Sequence, residues 1–134
     1  MAKGQPVSIR LAEETALLVS EEARRSGRSR NAVVEELADE AAKARLFPGI
    51  AYRGRPRRAW VIGTGLDVWE IVELIHSYDG RLAKLQKYHP RVTERAARIA
   101  EAYAGRFRSE IESFLAMQRR PLDELRELYP FIEF

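Results

Sequence analysis

The sequence predicts a mainly helical protein with one short N-terminal strand and a small β-hairpin in its middle. Apolar side chains recur along much of the 134-residue chain at the three- and four-residue spacing of amphipathic helices. Val7, Ile9 and Leu11 instead alternate with polar neighbours, which is the two-residue period of a strand. Two short apolar runs, at residues 50–52 and 60–62, flank a loop rich in glycine, proline and arginine, which is typical of a hairpin.

The composition is that of an ordinary globular domain, with 46% hydrophobic and 32% charged residues. The absence of cysteine excludes disulfides, thiol catalysis and cysteine-based zinc sites, and it suits a reducing compartment. The chain has no apolar leader and no run of about eighteen apolar residues. We therefore expect a soluble, cytoplasmic protein without membrane contact.

The charges are unevenly distributed, although the net charge is only +3. Residues 1–45 hold eight basic and eight acidic side chains, residues 46–106 hold eleven and six, and residues 107–134 hold four and six. These ranges are also the predicted domains: an N-terminal module, a small helical domain with the hairpin, and a C-terminal helix with an apolar tail. The basic middle favours contact with a polyanion, but a solvated basic surface accounts for it equally well.

The first 45 residues predict a strand followed by two helices. The first helix runs from Glu13 to Arg25, with acidic residues in its first turn and basic residues in its last. Gly27 ends it, and Ser29 caps a second helix that reaches Arg45. The apolar positions expected to be buried are Leu17, Leu18, Val19 and Ala23 in the first helix and Val33, Val34, Leu37, Ala38, Ala41 and Ala42 in the second.

The rest of the chain predicts the hairpin and four helices. The hairpin pairs a strand at Ile50–Tyr52 with a strand at Trp60–Ile62 across a basic loop. Helices are expected at residues 67–77, 82–88, 94–119 and 122–129. We assign Trp60 and Trp69 to the core, because tryptophan in such patterns is more often packed than used to stack on bases.

The strand–helix–turn–helix order of residues 1–45 resembles the ribbon-helix-helix module of Arc-type repressors. The resemblance implies an obligate homodimer, in which the strands of two chains pair about a two-fold axis and bury Val7, Ile9 and Leu11 beneath the ribbon. A single five-residue strand is not stable alone. The paired ribbon would have the size that enters the major groove of operator DNA.

The resemblance also implies which residues contact DNA. These candidates are Lys3, Pro6, Ser8, Arg10, Ser29, Arg30 and Asn31. Ser8 and Arg10 match outward strand positions that read base edges, and Arg10 can bind guanine O6 and N7. Pro6 departs from the family because it offers no side-chain hydrogen bond. The residues from Ser29 match the helix N-terminus that holds a phosphate, and Lys3 adds a backbone contact. Taken alone, Ser8 and Arg10 are better explained as the solvated side of an edge strand.

Residues 46–106 resemble a second family, the helical domain of unknown function numbered 433. The resemblance rests on Gly54-Arg55-Pro56, Val61-Ile62-Gly63-Thr64, Val68-Trp69-Glu70-Ile71 and Tyr88-His89-Pro90. Gly65 and Asp67 stand where members often have arginine and proline, and His89 is inserted. The resemblance implies a helix-turn-helix-like domain of a kind often encoded beside PIN-like nucleases. Within it, Arg95 and Arg98 could meet phosphate or be solvated.

No residue pattern points to catalysis. His76 and His89 are isolated, Gly63-Thr64-Gly65 is too short for a phosphate loop, and the sequence shows no carboxylate cluster of a metal-dependent nuclease. We therefore expect no catalytic residue, no metal, no cofactor and no enzymatic activity.

The C-terminal segment is both apolar and acidic, as are amphipathic segments that occupy a partner's groove. Its candidate partner-binding residues are Phe114, Leu122, Leu125, Leu128, Tyr129, Phe131, Ile132 and Phe134. The alternative is that this segment packs on its own middle domain.

Together these features resemble a VapB-like type II antitoxin that binds its operator and neutralises a PIN-like ribonuclease toxin. One alternative is a stand-alone ribbon-helix-helix transcriptional regulator whose second domain senses a ligand or sets the dimer geometry. Another is an interaction protein whose ribbon does not bind DNA. A nuclease gene beside this one would favour the antitoxin.

Overall fold

Helices dominate the computed structural model, which describes residues 3–118, 124, 127, 128, 130 and 131. In this part of the chain, six helices accompany one three-stranded antiparallel sheet, which confirms the prediction of a mainly helical fold with a small sheet. The chain divides into two compact units, Met1–Ala42 and Lys43–Phe134. Among the described residues, no helix is both long enough and apolar enough to cross a membrane.

Two helices form the first unit: α1 (Glu13–Ser26) and α2 (Arg30–Leu46), of which α2 continues into the second unit. Gly27 ends α1 in the left-handed conformation, with φ at 69°, a region that glycine enters without steric cost. Ser29 Oγ accepts a hydrogen bond from the N–H of Ala32 over 3.1 Å and so caps α2. Both predicted helices are confirmed to within a residue.

Residues 3–12 form neither a helix nor a hydrogen-bonded strand in the single chain. The strand predicted there needs the strand of a second copy to pair with. The ribbon-helix-helix arrangement therefore stays a prediction, although the helix that follows begins at Glu13 as expected.

The sheet lies in the second unit and consists of β1 (Ile50–Arg53), β2 (Arg58–Val61) and β3 (Leu66–Asp67), hydrogen-bonded in that order. β1 and β2 are antiparallel, in a register that places Arg53 opposite Arg58. The predicted hairpin is thereby confirmed.

The third strand, β3, is not predicted by the sequence. It forms because the Thr64 side chain turns the backbone after β2. Thr64 Oγ1 donates a hydrogen bond to the carbonyl oxygen of Val61 over 2.7 Å and accepts one from the N–H of Leu66 over 3.0 Å. This buried hydroxyl therefore holds β3 against β2.

Four further helices follow the sheet: α3 (Val68–Ser77), α4 (Leu82–Tyr88), α5 (Glu94–Arg106) and α6 (Arg108–Gln118). The single helix predicted over residues 94–119 is wrong, because the chain leaves helical geometry at Phe107, with φ at −120° and ψ at 53°. The Phe107 ring packs there against Tyr103, with 4.8 Å between ring centres, and against Phe47, with 5.8 Å. Most of the helix predicted at 122–129 lies outside the described residues.

The core of the second unit lies where the sheet meets α3, α5 and α6. Its buried residues are Ile50, Ala59, Val61, Val68, Ile71, Leu85, Val92, Ala96, Ala97, Ala100, Tyr103 and Ile111. Ile111 and the half-buried Leu115 bring α6 into this core, where it packs on α3 and α5. Trp69 packs against the core as predicted. Trp60 does not, because its strand neighbours Ala59 and Val61 occupy the buried face of β2.

Candidate nucleic-acid interface

The N-terminal segment is exposed on both of its alternating faces. Pro6, Ser8 and Arg10, the predicted outward residues, are all exposed. Val7 and Ile9, the predicted inward residues, are exposed as well, by 80% and 61%. A single chain therefore shows the polar face open to a ligand, and it shows an apolar face with nothing to cover it among the described residues.

The helical pair of the first unit has a very small core. Val19, Ala23 and Val33 are buried, and the half-buried Leu11 and Val34 pack against them. The other positions expected to be buried are exposed in the single chain, namely Leu17, Leu18, Leu37, Ala38, Ala41 and Ala42. The physical reason is that two helices cover only the seam between them, and the rest of each apolar stripe needs a further layer.

The N-terminus of α2 is built in the way the sequence predicts. Ser29 caps the helix with its hydroxyl oxygen, which leaves the hydroxyl proton able to donate to an anion. Arg30 and Asn31 are exposed beside it. Arg28, which the sequence analysis does not single out, anchors the turn by donating to Glu36 over 2.9 Å and to the carbonyl oxygen of Ala32 over 3.4 Å.

Lys3 pairs with Glu35, and both side chains are exposed. An exposed ion pair of this kind is weak and is screened by salt. A phosphate could therefore replace the carboxylate as the partner of Lys3 at little cost.

The second unit contains a cluster that sequence reasoning missed, which we name the Asp67 cluster: Arg53, Arg58, Asp67 and Trp69. Asp67 is almost fully buried and accepts hydrogen bonds from Arg53 Nε over 2.9 Å and Arg58 Nε over 2.7 Å. Trp69 Nε1 donates to the same carboxylate over 3.1 Å. The available signal was the hairpin itself, because opposite arginines on neighbouring strands need a carboxylate between them.

The Asp67 cluster changes how the basic middle of the chain is interpreted. Arg53 also donates to the carbonyl oxygen of Gly65 over 3.0 Å and lies 4.8 Å from the centre of the Trp60 ring. Arg55 and Arg57 interact with other groups of the protein too. The arginines of the hairpin are thus engaged within the fold, and they are weaker candidates for a polyanion contact than their number suggests.

A second buried polar group lies between the sheet and α6. The hydroxyls of Tyr52 and Tyr103 are 2.9 Å apart, and Tyr103 is fully buried. Lys43 Nζ lies 3.7 Å from Glu110 Oε1 and 4.7 Å from the centre of the Phe107 ring. Burial raises the pKa of the Tyr103 phenol far above its ordinary value, and hydrogen bonding to Glu110 and Tyr52 raises it further. A phenol held neutral in this way stabilises the fold and is a poor acid catalyst.

The described part of the predicted partner-binding tail is divided between the core and the surface. Phe114 is half-buried on α6, whereas Leu128 and Phe131 are exposed. The other tail candidates lie outside the described residues: Leu122, Leu125, Tyr129, Ile132 and Phe134.

The two histidines lie in different environments. His89 is half-buried and packs edge-on against Tyr78, with 6.1 Å between ring centres. His76 is exposed and lines an open groove of about 390 Å³ with Ile75, Asp79 and Glu101. Within residues 3–118 and the few described beyond them, no group of three or more histidine, aspartate and glutamate side chains could hold a metal ion.

Comparison of the chain with protein-family models, with curated proteins and with solved structures found no match.

Proposed function

We propose that this protein is a type II antitoxin that binds operator DNA as a homodimer and neutralises a PIN-like ribonuclease toxin in the cytoplasm. One observation carries the proposal: the first unit leaves a large part of its apolar surface uncovered in the single chain. Val7, Ile9, Leu17, Leu18 and Leu37 are all exposed there. Exposed large apolar side chains concentrated in one small unit are typical of a protein–protein interface.

A second copy of the chain is the partner that best fits this surface. The alternating segment ends directly before α1, so a two-fold axis through it would let two such segments pair as antiparallel strands. Val7 and Ile9 of both copies would then face the same side as the apolar residues of four helices. Each fully buried side chain of this size contributes about 1.5–3 kcal/mol, which favours the paired segments over the exposed ones.

The opposite face of such a ribbon supports DNA binding. It would present Ser8 and Arg10 twice, at a width that the major groove accepts. The exposed N-terminus of α2, at Ser29, Arg30 and Asn31, supplies free N–H groups and the positive end of a helix dipole for a phosphate. Base readout by arginine and backbone anchoring by a helix N-terminus are complementary roles.

Toxin neutralisation rests on the C-terminal segment. Met117 and Leu128 are exposed apolar residues, and the exposed Glu112, Glu124 and Glu127 accompany them. Apolar anchors of this kind fit a partner's groove, and carboxylates suit the basic channel of an enzyme that binds RNA. Inhibition would work by occlusion of the active site and would require no chemistry from this chain.

The test is inhibition of the ribonuclease encoded beside this gene by the purified full-length protein. We expect stoichiometric inhibition by the wild type and weaker inhibition by Met117→Ser/Leu128→Ser, which removes two of the exposed anchors. The matched control is Ala116→Ser, an equally exposed change on α6. A nuclease that stays fully active in excess protein would contradict the antitoxin proposal.

A stand-alone ribbon-helix-helix regulator is the second candidate. The observation that favours it is the position of α6, since Ile111 and Leu115 are already packed in the core of the second unit. Part of the tail is therefore used within the chain and is not available to a partner. Co-expression with the neighbouring gene product, followed by light scattering, separates the two: a hetero-complex supports the antitoxin, and a homodimer without it supports the regulator.

A further inference from the structure

The segment from Arg81 to Arg98 contains six basic residues and one acidic residue, Glu94. Arg98 lies 3.1 Å from Glu101 and 3.9 Å from Glu94, so it is the basic residue that these carboxylates neutralise. The remaining five basic side chains are exposed and make no ion pair with any described carboxylate. We name them the basic patch: Arg81, Lys84, Lys87, Arg91 and Arg95.

Helical geometry places part of the basic patch on one face of α4. Lys84 and Lys87 are spaced by three residues, which puts them in one row along the helix, and Arg81 is the N-cap residue directly before it. The opposite face of α4 is held by the buried Leu85 and the half-buried Leu82. The row is therefore presented by a short helix that is anchored to the core.

The other two cations follow α4, with Arg91 in the turn after it and Arg95 in the first turn of α5. The N–H of His89 donates to the carbonyl oxygen of Leu85 over 2.8 Å, and the N–H of Val92 donates to that of His89 over 3.0 Å. Val92 is buried, and Thr93 caps α5 by accepting from the N–H of Ala96 over 3.1 Å. Arg91 and Arg95 flank these anchored residues, so their backbone positions are set by the fold.

An exposed aromatic ring accompanies these cations. Tyr88 is exposed and stacks on Tyr78, with ring centres 6.4 Å apart and planes 16° from parallel. Lys87 Nζ lies 5.8 Å from the centre of the Tyr88 ring. A tyrosine hydroxyl is a regular donor to phosphate oxygens.

We propose that the basic patch binds the phosphate backbone of duplex DNA, so that the second unit adds sequence-independent affinity to the protein. Five exposed cations that pair with no described carboxylate, in a segment that also exposes a tyrosine, match the chemistry of a polyanion with regularly spaced charges. The arginines of the hairpin are held within the fold, and so this surface accounts for the basic excess of residues 46–106. The role in operator binding rests on the function proposed above, whereas contact with the backbone stands on the patch alone.

The test measures binding of the full-length protein to a mixed-sequence duplex of about 30 base pairs over a range of salt concentrations. Log affinity falls with log salt, and each phosphate contact steepens this fall by about 0.9. We expect Lys84→Gln/Lys87→Gln to make the slope shallower by about 1.8 and to weaken binding roughly tenfold or more near physiological salt. Arg106→Gln/Arg108→Gln removes the same charge from exposed positions outside the patch and is the matched control. All four positions are exposed, and equal melting temperatures would show that the variants fold.

Equal slopes for the two double variants would overturn the proposal, because both would then act only through net charge. A loss seen with single-stranded RNA and absent with the duplex would also overturn it. The ribbon assignment can be tested independently of the basic patch. Arg10→Ala should reduce the discrimination between a selected operator and the mixed duplex, and it should leave the salt slope that depends on the patch unchanged. If Arg10→Ala binds every duplex normally and the patch variant still loses slope, the patch stands and the ribbon assignment fails.

Discussion

Arg58 donates a hydrogen bond from Nε to Oδ2 of Asp67 over 2.7 Å, and Asp67 is only 3% exposed. Arg53 and Trp69 donate to the same carboxylate. Asp67 is also the N-cap residue of α3, and its N–H donates to Glu70 Oε1 over 3.0 Å. Asp67 thus links β1 and β2 to the start of α3, a helix that packs in the core of the second unit.

We predict that Asp67→Ala lowers the free energy of unfolding by about 2–3 kcal/mol, because it leaves buried donors without an acceptor. The figure is below the usual value for a broken buried ion pair, since both arginines are about one-third exposed and water can solvate them. Urea denaturation measures the change. Asp79→Asn, at an exposed turn, is the control, and we expect it to change stability by less than about 0.5 kcal/mol. Equal effects of the two substitutions would refute a central role for the cluster.

The buried phenol of Tyr103 gives a pH-dependent prediction. Its pKa is raised in the folded protein, so the stabilisation is complete below the unfolded value of 10.0 and is lost as the pH rises above it. Tyr103→Phe should cost about 1–3 kcal/mol at neutral pH, because Tyr52 loses its hydrogen-bond partner. The difference in the free energy of unfolding between the wild type and Tyr103→Phe should become smaller above about pH 10, because phenylalanine does not ionise. Chemical denaturation across that range measures it, and a constant difference would contradict the assignment.

The cap of α5 is a local feature with a separate prediction. Thr93→Ala removes the acceptor of the Ala96 N–H and should cost about 1 kcal/mol. Thr15→Ala, exposed in the first turn of α1 and without a capping role, serves as the control, and alanine there should be neutral or slightly stabilising. Thermal denaturation of both variants decides the matter. The cap assignment fails if the two substitutions have the same effect.

Arg10 gives the prediction most specific to DNA readout. If it contacts a guanine, Arg10→Ala should weaken operator binding by about 1–3 kcal/mol and relax the preference at one base in each half-site. Arg24→Ala is the matched control, because Arg24 is an exposed arginine in the last turn of α1 and not in the alternating N-terminal segment. Selection of bound sequences from a random pool, followed by titration, measures both effects. Normal operator binding by Arg10→Ala would remove this residue from the readout.

Local signals predicted the first unit's helices well. Gly27 and Ser29 end and begin helices through their own backbone freedom and side-chain hydrogen bond, and neither depends on distant residues. The break at Phe107 is different in kind. Its ring packs on Phe47 and Tyr103, and a periodic apolar pattern does not predict where such packing ends a helix.

The candidate sites were also predictable to different extents, because some depend on local signals and others on contacts with distant residues or with a second chain. The alternation at residues 7–11 is visible in the sequence, but its pairing needs a second chain and so is not decided by one copy. The Asp67 cluster joins residues from three strands, and only the register that places Arg53 opposite Arg58 brings their charges to one carboxylate. The basic patch is contiguous in sequence. The sequence does not show, however, that the hairpin arginines contact other groups within the fold.

The most direct test of the account is the mass of the full-length protein in solution, measured by light scattering for the wild type, Ile9→Glu and Ser8→Glu. The account predicts twice the chain mass of 15.4 kDa for the wild type and for Ser8→Glu, whose changed residue lies on the outward face. It predicts a shift to the single-chain mass for Ile9→Glu, because a carboxylate would have to be buried beneath the ribbon. A wild type that remains at 15.4 kDa at high concentration, or an Ile9→Glu variant that stays dimeric, would contradict it.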